Sequence, residues 1–133
     1  MGATATALIG FSAWYILLST AVALYRVRLI LSGEKAANAF ATDGSDLAPL
    51  GRRLTRARDN CFETLPLFVA LALGASLAGR LDVTDGLAMW VLFLRIGQSV
   101  AHIASTSVLA VQVRAVFFFA QVLIYAYWTL RLL

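Results

Sequence analysis

One cysteine, two prolines, one histidine and seven acidic residues are all that this chain of 133 residues holds of the types that usually build staples, turns, metal sites and soluble surfaces. The lone Cys61 excludes an internal disulfide and a thiolate metal cluster, and its expected place is as a small buried side chain. There is no Cys/His metal spacing, no Walker-type phosphate loop and no Gly-X-Ser-X-Gly elbow, so the common templates of metal, nucleotide and serine-hydrolase chemistry are absent. Charged residues make up 14% of the chain, too few to cover a water-soluble domain. What fills the rest is apolar: 61% hydrophobic residues and a mean hydropathy of +0.82 place the chain in a bilayer.

A span needs about 20 mostly apolar residues, and four segments supply one: 8–31, 62–79, 86–111 and 115–133. The predicted fold is an all-α membrane protein, a four-transmembrane-helix bundle over 1–133, with a loop over 32–61. Residues 1–6 lack the basic stretch that opens a signal peptide, so the first apolar run reads as a retained helix. Seven of the 11 basic residues, Arg26, Arg28, Lys35, Arg52, Arg53, Arg56 and Arg58, cluster between the first two spans. Positive charge marks the cytoplasmic side, which places that loop and Arg114 inside, and both termini with the 80–85 turn outside. The same distribution accounts for the basic pI of about 9.8 without nucleic-acid binding. Asp43-Gly44-Ser45-Asp46 and Pro49-Leu50-Gly51 read as turns in the loop. Asp82 and Asp85 read as solvated or helix-start carboxylates.

The segment from Arg56 to Phe68 is the chemical anomaly. Arg56, Asp59, Asn60 and Glu63 share one helical face at the mouth of an apolar run, where polar groups are expensive and default to function. Arg95, Gln98, Ser99, His102 and Thr106 make a second stripe on the third helix. Gln121, Tyr125 and Trp128 continue a weaker one from Arg114 on the fourth, with Phe118 at the same angle. Gln98 and Gln121 suit interhelical hydrogen bonds. His102 suits either a core hydrogen bond or a ligand contact, and Arg95 needs Glu63, another carboxylate or a helix-end carbonyl as partner. Trp14, Tyr15, Trp90, Tyr125, Tyr127 and Trp128 are expected in interfacial aromatic belts. Glu63, Asn60, Arg56, Arg114 and His102 converge on the cytoplasmic half. Guanidiniums there clamp carboxylates, Glu63 accepts an ammonium and Asn60 orients through an acceptor and donors, an inventory that suits a zwitterionic peptide.

These residues resemble the MAPEG family, membrane-associated proteins in eicosanoid and glutathione metabolism. The resemblance rests on Arg56-Ala57, Asn60-Cys61-Phe62-Glu63 and Pro66-Leu67-Phe68, on Val100-Ala101-His102, and on Val113-Arg114-Ala115-Val116. It implies a homotrimer with glutathione as co-substrate in intersubunit sites open to the cytoplasm. It implies that Arg28, Arg56, Asn60, Glu63 and His102 bind the tripeptide and that Arg114 activates its thiol against a hydrophobic electrophile or lipid, by transferase or peroxidase chemistry. Three positions depart from the family pattern: Ser99 stands where an arginine is common, and Phe118 and Ser105-Thr106 where tyrosines are frequent. The missing phenols keep open a non-catalytic lipid-binding or scaffold role. A small multidrug transporter using Glu63 fits less well with so many arginines. Compact loops point to a bacterial inner membrane.

Overall fold

The computed structural model describes residues 1–133 as four antiparallel helices: α1 (Ala3–Leu31), α2 (Pro49–Leu77), α3 (Leu81–Ala104) and α4 (Val108–Leu132). All four are long and apolar enough to cross a membrane. α2 and α3 lie centrally and touch each other; α1 packs on both, α4 packs on both from the other side, and α1 and α4 do not touch.

Five boundaries differ from the sequence expectation by more than two residues: all four helices start earlier, which one reason covers, and α3 ends earlier, at a turn set inside the apolar run. An apolar window finds the part of a helix that sits in lipid, whereas a helix runs on as long as its backbone bonds are satisfied. α2 begins at Pro49 rather than 62, so the loop is 32–48 and the arginine-rich stretch is helical. Pro49 occupies the first helical position, where its missing N–H costs nothing. At about 1.5 Å per residue, the 29 residues of α2 extend about 43 Å, well beyond a hydrocarbon core of about 30 Å. α3 stops at Ala104 and α4 starts at Val108, so Arg114 lies nearly two turns inside α4. The break is Ser105-Thr106-Ser107: Ser105 is extended, and Ala110 N–H donates to the Ser107 side chain at 3.2 Å, capping α4.

The core gathers in the half away from the basic loop. Phe68 is fully buried and meets Phe11, Trp128 and Tyr125 at ring-centroid distances of 5.8, 5.8 and 6.3 Å. Tyr125 and Trp128 are therefore core residues and not part of an interfacial belt, because they follow Gln121 on the stripe that faces α2 and α3. Trp90 and Tyr127 are exposed on the outer surface of the bundle, Trp90 near the middle of α3 and not at its end. Gln121 Nε2 donates to Gln98 Oε1 at 2.9 Å, the interhelical bond the sequence suggested. Asp85 is partly exposed and caps a helix other than its own. It accepts from Thr4 N–H at 2.8 Å and from the Thr4 hydroxyl at 2.6 Å, so a carboxylate on α3 closes the N-terminus of α1.

Candidate functional site

Because α2 is helical from Pro49, Arg52, Arg56, Asn60 and Glu63 fall at spacings of four, four and three and form one continuous stripe. Arg53 turns aside: its Nε donates to Ile103 O at 2.7 Å and ties α2 to the last turn of α3, satisfying a terminal carbonyl. Glycine sets the approach of the neighbouring elements. Gly51 lies where a Cβ would stand 2.5 Å from the Tyr25 ring, so α1 meets the start of α2 only because no side chain intervenes.

The 32–48 loop folds back over this stripe. Lys35 Nζ donates to Asp46 Oδ2 at 2.5 Å and to Ala39 O at 3.1 Å, and Asp46 also accepts from Ala41 N–H at 3.2 Å. Phe40 packs against both Arg26 and Lys35, with cation-to-ring distances of 5.5 and 5.3 Å. Leu47 is buried, and Gly44 adopts φ 73° with its α-carbon against Thr55, a conformation and a contact that a side chain would disturb. Fixed this way, the loop brings Asp43 and Ser45 to the stripe. The Lys35 ammonium, followed by the Ala41 N–H, holds the Asp46 carboxyl below its usual range. Hydrogen bonding from Ser45, the backbone N–H first, does the same for Asp43, so both are anionic at neutral pH.

Two cavities result. The first, about 350 Å³, is lined entirely by polar residues: Asp43, Ser45, Arg52, Arg56, Asp59, Asn60, Glu63 and His102. The second, about 390 Å³, is lined by Pro49, Arg52, Arg53, Arg56, His102, Thr106, Val111 and Arg114. Arg52, Arg56 and His102 belong to both and stand between them. Each cavity is within the size range of small-molecule sites. Asp59 is already engaged by Arg58, with nitrogen-to-oxygen distances of 2.8 and 2.9 Å, so Asp43 and Glu63 are the acidic groups of the first cavity without an ion-pair partner.

Arg114 NH1 donates to His102 Nδ1 at 2.7 Å, with Nε2 further away at 3.3 Å. An arginine has no lone pair to offer, so the imidazole is the acceptor. Arg114 Nε is buried without a partner, which leaves His102 as the group that aims this guanidinium.

Five of the six residues singled out from sequence thus meet: Arg56, Asn60, Glu63 and His102 around the first cavity, Arg56, His102 and Arg114 around the second. Arg28 does not join them. It is exposed on α1 and lines neither cavity. Asn60 differs from expectation in one respect, since its side-chain oxygen is taken by Arg95 NH1 at 2.5 Å and only its N–H groups remain for a ligand. Arg95 accordingly pairs with no carboxylate: its NH2 donates to the Thr64 hydroxyl at 2.5 Å, and its guanidinium lies 5.6 Å from the Phe11 ring centroid. Ser99 accepts from Trp14 Nε1 at 3.0 Å and donates to Arg95 O, bonded into the bundle and away from the cavities.

Sequence reasoning missed Arg52 as a lining residue, along with Asp43 and Ser45. Ala48-Pro49 was the available signal for Arg52, because a proline opening a helix there puts it one turn before Arg56. Nothing local marks Asp43, whose position depends on Lys35, Phe40 and Thr55.

A model described as the MAPEG family matches residues 4–133. No curated protein matches the chain, and no solved structure does.

Proposed function

Since the chain belongs to the MAPEG family, we propose that it is a membrane glutathione transferase that joins the glutathione thiol to hydrophobic electrophiles arriving through the bilayer. The observation that carries this reading is the pairing of the two cavities: one wall mixes guanidiniums with free carboxylates, and the next presents Arg114 held by His102. Glutathione offers two carboxylates, an ammonium and a thiol. Arg52 and Arg56 suit the carboxylates, Asp43 and Glu63 the ammonium, and Asn60 a carbonyl or carboxylate oxygen. Arg114 then stabilises the thiolate, the nucleophilic form, in a setting where apolar surroundings strengthen the pairing. The same thiolate supports reduction of lipid hydroperoxides when the electrophile is a peroxide oxygen.

The basic end of the bundle faces the cytoplasm on the positive-inside rule, with both termini outside, in a bacterial inner membrane. A homotrimer gives the exposed Arg28 a site on a neighbouring subunit to reach. A titration of purified protein with glutathione, followed by calorimetry and by thiolate absorbance in the ultraviolet, tests the reading. Binding with a thiolate signal that Arg114→Ala abolishes is the expected result. Absence of both signals in the wild type, or an Arg114→Ala variant indistinguishable from it, overturns the proposal.

One observation favours a second reading, a non-catalytic lipid-binding member. Phe118, one turn after Arg114, has no hydroxyl and packs on Phe119 at 5.6 Å, so the site lacks a second donor there. Native mass spectrometry that retains lipid and never glutathione would select this alternative.

A further inference from the structure

Arg95 is a cation with no exposed surface, in the interior of α3 about 21 Å along the helix from Leu81 and about 14 Å from Ala104. Such a charge normally demands an anion. Here neutral oxygens answer it. NH1 donates to both the backbone and side-chain oxygens of Asn60, at 3.2 and 2.5 Å, and NH2 to Thr64 at 2.5 Å, so the planar fork grips two successive turns of α2. Nε has no partner at all.

The consequence falls on Asn60. An amide side chain has one acceptor end and one donor end, and because arginine only donates, the oxygen must face Arg95. The Nδ2 group makes no hydrogen bond within the chain, is not among the buried unpaired atoms, and belongs to a residue that lines the first cavity. We propose that Arg95 is a positioning residue: by holding the Asn60 carbonyl it commits Asn60 to offer N–H donors to the cavity, and so sets a requirement for an acceptor oxygen on the ligand at that point. The inference rests on the glutathione reading for the identity of the ligand, and the acceptor is then a carboxylate or amide carbonyl of the tripeptide.

Asn60→Asp separates this role from a merely structural one. The substitution keeps the shape, gives Arg95 an anion and removes both donors. A raised melting temperature together with glutathione affinity weakened roughly tenfold to a hundredfold is expected. If affinity is kept while stability rises, Asn60 serves only Arg95 and the inference is wrong. Arg95→Met, which removes the buried charge and frees the amide to turn, is expected to weaken binding in a folded protein, with Arg95→Lys intermediate; unchanged affinity in a folded Arg95→Met protein also overturns it. Asn38 and Asn60 are the two asparagines, so asparagine-selective ¹⁵N labelling gives a reading that needs no ligand. Asn60 side-chain protons should exchange with water in the free protein. Protection there would mean the donors are already taken and refutes the proposal, whereas failure of the wild type to bind glutathione refutes only the functional reading.

Discussion

Replacing His102 should cost activity in proportion to what it does for Arg114, and the geometry fixes what that is. The guanidinium has one hydrogen-bonding partner within the chain, the imidazole at 2.7 Å, and a buried Nε with none. A hydrogen bond to a charged group is worth about 1.5–3 kcal/mol. If the whole of it is spent on aiming Arg114 in the transition state, kcat/KM falls roughly tenfold to 150-fold in His102→Leu. His102→Asn places a carbonyl oxygen close to where Nδ1 stood and should remain within a few-fold of the wild type, since an acceptor is all that is required. The assay is conjugation of glutathione to a hydrophobic aryl halide in nanodiscs across a range of pH, with glutathione affinity measured separately. Because the acceptor role needs no proton transfer, the pH profile of His102→Asn should overlay that of the wild type. A His102→Asn variant as poor as His102→Leu, with one limb of the pH profile gone, would identify the histidine as a general base and refute the reasoning.

Two further outcomes follow from the fold. Trp128→Ala removes a fully buried ring packed on Phe68 and Tyr125 and should lower stability by about 3–5 kcal/mol, seen as a reduced melting temperature, whereas Trp90→Ala on the exposed face should change it by less than about 0.5 kcal/mol. Equal effects would show that the cluster is not the core. The second outcome concerns Asp46, whose pKa is lowered first by Lys35 and then by the Ala41 N–H. A depressed carboxyl contributes stability that is present above its unfolded value of about 3.9 and is lost as pH falls through the folded value. Hydrogen-exchange protection of residues 35–46 should therefore be flat from neutral pH to about 5 and collapse only below about 4, with Lys35→Met removing it at neutral pH.

Four spans were legible because hydropathy acts over whole segments. Helix ends were less so. Arg52 to Arg58 looked like loop since a window that scores apolarity is blind to a helix that leaves the bilayer, and Pro49 was read as a turn residue when it is a helix opener. The stripe on α3 was visible as periodicity, and Gln98 with Gln121 followed from it. The partner of Arg95 did not, because charge complementarity suggested Glu63, whereas the facing turns of α2 bring Asn60 and Thr64 to it. Tyr125 and Trp128 were assigned by residue type to the interface, and helix phase overrides type. The bond between His102 and Arg114 needs the Ser105–Ser107 turn to fold α4 back along α3, and sequence shows the two ends without the angle between them.

The buried Arg95 bears on how the chain enters its membrane. An arginine at the centre of a lone span raises the insertion free energy by about 2.5–3.5 kcal/mol. During synthesis α2 emerges before α3, so the oxygens of Asn60 and Thr64 are already laid down when Arg95 reaches the bilayer. The order of the helices along the chain thus supplies the receptor before the charge, and the third span is delivered to a partner rather than to bare lipid.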